Sequence, residues 1–342
     1  MREGRAAAIK AISSHLPAGE LTNEQLAEEF GDVDATVIFE RTGIRVRRVA
    51  NAQECASDLG VAAARNLFES GRVRPEEIDF LLFCTQTPDY FLPTTACIMQ
   101  ERLGLRTDCG AIDFNQGCSG YVYGLAMAKS LIETDSARSV LLVTADTYSR
   151  YINARDRSTR TLFGDGASAT LISATEADTD LIGPFVFGTD GRGAEKLIVP
   201  AGGMRQPFND ETKVEKMDEQ GNWRSAQNLY MNGPEIFNFT LRTVPQTMSE
   251  LLQKSGRKIE EIDYFIPHQA NKFMLERLQR RLGIPAEKFH IELETTANTV
   301  SSTIPIALES ARQQARIKAG DLVALVGFGV GYSWAATLVR II

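Results

Sequence analysis

The sequence predicts an α/β protein made of two duplicated halves, each carrying a mixed β-sheet. Three observations predict it. The segment 69–88, "ESGRVRPEEIDFLLFCTQTP", returns at 254–271 as "KSGRKIEEIDYFIPHQAN", and the two EEID runs lie 260 − 76 = 184 residues apart. A second pair of apolar runs, "RSVLLVTAD" (138–146) and "GDLVALVGFG" (320–329), repeats at 322 − 140 = 182 by its apolar cores. Near-continuous apolar strands separated by helical patterns are what sheets covered on both faces require.

Each element follows in order. In the first copy a helix ends at Ser-Gly, an acidic turn follows, and an apolar strand runs out of "ID". "CSGYVYGLAMAKSLIE" (118–133) then reads as a helix feeding the strand at 138–146. The polar stretch "ATEADTD" (174–180) divides the chain into halves 1–177 and 178–342, and the Gly-rich, poorly periodic residues 188–229 read as an insertion with little core of their own. The second half repeats the plan with "NTVSSTIPIALESARQQ" (298–314) as its helix. On this reading Cys118 and Asn298 open equivalent helices, and His268 takes the place of Cys84, since 268 − 84 = 184. Packing about a pseudo-twofold axis would bring cysteine, histidine and asparagine to one centre.

Composition sets the outer bounds. At 342 residues and 43% hydrophobic content the chain has material for two core-forming units. A net charge of −7 argues against nucleic acid or an anionic membrane as partner, because the average surface repels both. Five cysteines, an odd number without zinc-ligand or redox-pair spacing, point to a reducing, cytoplasmic setting with no metal. The opening "MREGRAAAIKAISSHLPAG" has no signal-peptide pattern, and no window reaches the ~18 apolar residues of a membrane span. His15 and His290 have no special context and read as surface residues.

The chemistry centres on "GCSG". A thiol at a helix N-terminus ionises more easily, because unpaired N–H groups favour the thiolate. A cysteine in an apolar setting is by itself most often structural, and the other four keep that reading. His268 ends an apolar strand, where ligands gather in open α/β sheets. Asn298 reads either as an ordinary N-cap or as a donor aimed at a developing oxyanion. "FGVGYSW" (328–334) is either a tight bend or, with the N–H of Cys118, an oxyanion hole. "FGDGAS" (163–168) lacks the lysine and spacing of a phosphate loop and is taken as a turn.

Taken together, "RTGIRVRRVA" (41–50), "CSG" (118–120), "FGDGASAT" (163–170), "NGPEIF" (232–237), "HQAN" (268–271) and the Asn298 segment resemble a β-ketoacyl-acyl-carrier-protein synthase III of the thiolase superfamily. The resemblance implies a thiolase-like five-layered αβαβα homodimer with a Cys118–His268–Asn298 triad and decarboxylative Claisen condensation. It also implies an oxyanion hole from Cys118 and Val330, a coenzyme A and pantetheine tunnel past Arg41, Arg157 and Gly233, and an acyl pocket with Phe163 and Phe328. Phe91 or Leu92 would gate the partner's pocket, and Arg277, Arg280 and Arg281 would dock an acidic acyl carrier protein. Acyl-CoA and malonyl-carrier thioesters would be substrates, with no cofactor. The absence of any cysteine after 118 removes the base a thiolase needs, and an asparagine stands where elongating synthases carry a second histidine.

There are departures. Val37 replaces a tryptophan common before the tunnel arginine, Phe273 stands where a basic residue is frequent, and "NQGCSG" replaces an alanine-rich run, a form associated with paralogues outside housekeeping fatty-acid synthesis. Two other function classes remain open on sequence: acyl transfer to an alcohol or amine without carbon–carbon bond formation, and a non-catalytic acyl-binding subunit.

Overall fold

A computed structural model describes residues 5–342. Residues 1–4, with which the expected N-terminal half begins, lie outside the described residues.

The repeated EEID turns fold alike because each caps itself. Glu77 accepts the Arg74 N–H at 2.8 Å, and Glu261 accepts the Lys258 N–H at 2.7 Å. The aspartate that ends each turn then ties its strand to the next: Asp79 accepts the N–H groups of Arg138 and Ser139, and Asp263 that of Leu322. Strands Phe80–Cys84 and Tyr264–Pro267 therefore lie parallel to Ser139–Asp146 and Leu322–Gly329. The register carries the duplication: Phe80 faces Val140 and Tyr264 faces Val323, offsets of 264 − 80 = 184 and 323 − 140 = 183.

The first sheet runs in the order Arg5–His15, Gly166–Glu176, Ser139–Asp146, Phe80–Cys84, Gly110–Phe114. The second runs Ile182–Thr189, Ser333–Arg340, Leu322–Gly329, Tyr264–Pro267. Its fifth position is reduced to one bridge between Phe265 and Phe289. Both sheets are mixed.

Alternation along the strands builds the layers. Val323 and Leu325 face the same core as Val140 and Leu142, and helices Gly120–Glu133 and Thr303–Gln313 are sandwiched there between the sheets. Leu141, Val143 and Ala145 face outward onto helices Ala56–Glu69 and Thr95–Arg102. Ala324, Val326 and Phe328 face outward onto Gly233–Ser255 and Lys272–Leu282. The result is a five-layered αβαβα fold. Burying large residues such as Leu141, Leu325 and Val323 completely is worth about 1.5–3 kcal/mol each.

Two sequence expectations are corrected. His290 is buried, not on the surface: its ring Nδ1 bonds the Tyr264 hydroxyl at 3.1 Å and its carbonyl receives the Gln269 amide. Residues 188–229 form short turns and two-residue ladders, yet Leu197 and Leu229 enter the core that holds Cys118. No helix among the described residues is long and apolar enough to cross a membrane.

Candidate active site

Cys118 sits just before Ser119, the N-cap of helix Gly120–Glu133, and is buried. Gly329 lies so close that a Cβ there would stand 2.8 Å from the sulfur. The N–H groups of Val330 and Cys118 itself point at the thiol. Burial, followed by the charge of Asp146, outweighs the pull of those N–H groups and pushes the thiol up to about 12. A helix terminus supplies at most about 2 kcal/mol, whereas full burial shifts a group by as much as 3–5 units.

His268 follows the last residue of strand Tyr264–Pro267, with its backbone N–H donating to Val326 O at 2.8 Å. It is buried, lies edge-on to Phe328, and burial pulls its imidazole down to about 3, so it is neutral. Its Nδ1 is 2.7 Å from the Thr303 hydroxyl, which leaves Nε2 for the cavity.

Asn298 does not open a helix. A 3-10 turn, Val300–Ser302, separates it from helix Thr303–Gln313, and Ala297 and Val300 on either side of it take positive φ of 58° and 56°. That backbone is unfavourable for both residues, most of all for a β-branched valine, and such conformations gather at functional sites. The loop is held by Asn298 N–H to Leu162 O and by Gly164 N–H to Asn298 O, both 3.0 Å. Asn298 Oδ1 accepts the Val300 N–H at 3.0 Å, which leaves its Nδ2 hydrogens uncommitted. The helix residue equivalent to Cys118 is Ser301, since the helices start 303 − 120 = 183 residues apart.

One cavity of about 760 Å³ is lined by Cys118, His268 and Asn298 together with Arg41, Arg157, Gly233, Phe163 and Phe328. Arg157 is already engaged, 2.7 Å from Asp32 and 5.3 Å from the Phe30 ring centroid. Phe30 and Val33, which the sequence reading passed over, share this lining with Val37. Phe91 and Leu92 do not line it and are 79% and 82% exposed. Arg277, Arg280 and Arg281 stand exposed on helix Lys272–Leu282, with Arg277 over the Phe273 ring.

Several residues that build the site left little signal in the sequence. Asp146, at the end of its strand, accepts the Gln86 N–H at 2.8 Å and, from the other half, the N–H and hydroxyl of Ser301. Ser302 bonds Thr144 O at 3.0 Å. These bonds join residues of the two halves that are 155 and 158 positions apart in the chain. The polar end of "VLLVTAD" was the one available clue to Asp146.

Comparison with known proteins gives a consistent result. Residues 112–191 match the family described as 3-oxoacyl-[acyl-carrier-protein (ACP)] synthase III, and residues 252–341 match its C-terminal model. A β-ketoacyl-[acyl-carrier-protein] synthase III of Caldanaerobacter subterraneus is 38% identical over 99% of both chains. A crystal structure of a 3-oxoacyl-(acyl-carrier-protein) synthase III is 52% identical, covers 98% of this chain and 100% of that one, and has a TM-score of 0.97. A 3-oxoacyl-(acyl-carrier protein) synthase from Burkholderia xenovorans is 37% identical, with 99% and 96% covered and a TM-score of 0.89.

Proposed function

The chain belongs to the 3-oxoacyl-[acyl-carrier-protein] synthase III family of the thiolase superfamily, and from that premise we propose how its residues divide the reaction. It is an acyltransferase that joins an acyl thioester to a malonyl thioester by decarboxylative Claisen condensation, releasing a β-ketoacyl thioester. The reading is carried by one cavity that holds a thiol from the first half beside a neutral imidazole and an uncommitted amide from the second.

Cys118 attacks the acyl thioester. The bond to the carrier sulfur breaks, the carrier leaves as a thiol with the proton Cys118 gives up, and the acyl group stays on the enzyme. The N–H groups of Val330 and Cys118 receive the tetrahedral oxyanion. A malonyl thioester then enters and its bond to the carboxylate breaks. Carbon dioxide departs, and the electron pair becomes an enolate whose oxygen takes hydrogen bonds from His268 Nε2 and Asn298 Nδ2. For Nε2 to donate, the Thr303 hydroxyl, which donates to Val300 O at 3.1 Å, must turn its proton to Nδ1. The enolate carbon attacks the acyl carbonyl, the bond to sulfur breaks, and Cys118 takes up a proton. Decarboxylation supplies the carbanion, so the reaction balances without a redox group.

At the cavity mouth Arg41 makes no hydrogen bond or ion pair with the described residues, so it is the stronger phosphate ligand, whereas Arg157 must exchange Asp32 for a ligand. Arg277, Arg280 and Arg281 give an acidic protein the local basic face that an acidic carrier requires. We place the homodimer contact at the edge strand Gly110–Phe114, where Ile112 is exposed, and at the loop of Tyr90, Phe91 and Leu92. Five free cysteines fit a cytoplasmic setting. The test is release of labelled carbon dioxide from carboxyl-labelled malonyl-carrier protein by acetyl-loaded enzyme. Release coupled to a β-ketoacyl product is expected. Acyl transfer to an alcohol or amine with no carbon dioxide would overturn it.

A further inference from the structure

A two-stranded hairpin, Lys216–Met217 with Trp223–Arg224, stands beside the cavity and has no part in the steps above. Asp218 closes its turn by accepting the N–H groups of Gln220 and Asn222, both at 2.9 Å. Gln220 and Asn222 then line the same cavity as Cys118, together with Arg157 and Ser158. That cavity has a direction: Cys118, His268 and Asn298 are buried, whereas Gln220, Arg41 and Phe273 are exposed and mark its mouth. A thioester whose acyl carbon meets Cys118 therefore leaves its carrier portion toward the hairpin.

Three consecutive residues of the hairpin grip the three consecutive residues that end in Arg157. Asn222, which is buried, accepts the Arg157 N–H at 3.1 Å. The Trp223 N–H donates to Arg155 O at 3.4 Å, and the Arg155 guanidinium lies 4.2 Å from the centroid of the Trp223 ring. Arg224 donates to Asp156 through Nε at 2.5 Å and Nη2 at 3.2 Å, to Ser158 Oγ at 3.0 Å and to Asp218 at 3.0 Å. Asp156 is fully buried, and it also accepts the Ser158 N–H at 2.9 Å and the Thr159 hydroxyl at 2.8 Å. A hairpin with two-residue strands is marginal on its own, so this buried carboxylate–guanidinium joint is what fixes it to the wall. The joint leaves the Arg157 side chain free to change partners. Its guanidinium holds Asp32 at 2.7 Å, but the two side chains are 37% and 62% exposed, and such pairs are weak. Arg157 can thus trade Asp32 for an anionic ligand while its backbone stays where the hairpin holds it, which lowers the ordering cost of binding.

Building on the proposed reaction, we propose that the hairpin is a built wall of the entrance and that Arg224, acting through Asp156, is a positioning residue that presets Arg157 for a phosphate on the carrier portion of the incoming thioester.

The experiment follows Cys118 loading by intact-protein mass spectrometry against the concentration of acetyl-CoA and of acetyl-pantetheine, which has the same reacting end and no phosphate. It compares wild type, Arg224→Ala, Arg157→Ala and the double variant. Arg224→Ala is expected to raise the half-saturating acetyl-CoA concentration about tenfold, the low end for one charge-assisted hydrogen bond, and to leave the limiting loading rate unchanged. Half-saturation by acetyl-pantetheine does not move. The double variant is no weaker than Arg157→Ala, because the two residues act as one unit. Arg224→Lys, which keeps a charge beside Asp156 but loses the fork to Ser158, substitutes if the alanine variant does not fold. Unchanged half-saturation by acetyl-CoA in a folded Arg224 variant overturns the proposal. An equal loss with acetyl-pantetheine overturns it too, since the hairpin would then support the whole site, and so do losses that add in the double variant. Equal half-saturation of wild type by the two thioesters overturns the phosphate role of Arg157 and the proposal with it. No adduct from either thioester overturns the reaction on which the proposal rests.

Discussion

By strand and helix register, Cys84 of the first half stands where His268 stands in the second, and Cys118 stands where Ser301 does. Each half therefore had the same two places from which to reach the centre, and each uses one of them for chemistry. Cys84 is fully buried, its thiol donates to Gln116 O at 3.2 Å, and a Cβ on Gly120 would come within 2.3 Å of its sulfur. Ser301 is spent on Asp146. Of the two unused places, Ser301 became part of the joint between the halves and Cys84 packs against the start of helix Gly120–Glu133, while the two used ones, with Asn298 added from a loop, became the site. Symmetry supplied the positions, and departures from it supplied the reactivity.

The largest expected break in this division is Cys118→Ala, which abolishes the acyl-enzyme in intact-mass measurements; Cys84→Ala leaves the adduct in place. An adduct on the Cys118→Ala protein would make the two thiols interchangeable. The next is a pH test. With the thiol held up to about 12 and the imidazole down to about 3, the site contains no thiolate–imidazolium pair. Alkylation of Cys118 by iodoacetamide, followed on its own peptide, then climbs roughly tenfold per pH unit between about pH 6 and pH 9. A plateau near neutrality would restore the pair. Because burial favours the neutral imidazole of His268, the stability tied to that burial is present above its unfolded value near 6.5 and is lost as pH falls below it toward 3.

Smaller again is the loss from the second half's donors. His268→Ala or Asn298→Ala keeps the acyl-enzyme and slows condensation by about 100- to 1,000-fold, the usual consequence of removing one such donor. Single-turnover measurement of loading and of carbon dioxide release separates the two steps, and equal damage to both would blur the division between halves. The smallest is structural. Asp146→Ala strands the Gln86 N–H and both Ser301 donors, at about 3 kcal/mol of stability, read from the urea midpoint. A change within error would mean that the joint lies elsewhere.

What could be read from the chain alone follows from range. The EEID turns were legible because their caps are three residues apart and leave a pattern. Cys118, His268 and Asn298 were legible as a set through motif order, and all three line one cavity. Asn298 was misplaced at a helix start because the chain inserts a 3-10 turn entered through positive φ, which an Ala and a Val do not advertise. The rise in the thiol's pKa was not legible because helix geometry is local, whereas burial is collective. Thr303 and Tyr148 were invisible, and Asp146 showed only as the polar end of its strand, because their partners are 35, 62 and 155 residues away. His290 was misread for the same reason, being covered by Tyr264 and Gln269.

The single carboxylate that ties Gln86 to Ser301 has one further consequence, for folding. Its donors come from 60 residues before it and 155 residues after it, so the nucleophile's surroundings close only once distant stretches have found one another. Assemblies dominated by such remote pairings organise slowly. During refolding, recovery of the Cys118 adduct is therefore expected to lag behind the return of helical signal, which makes the acyl group a clock for the last event in the molecule's assembly.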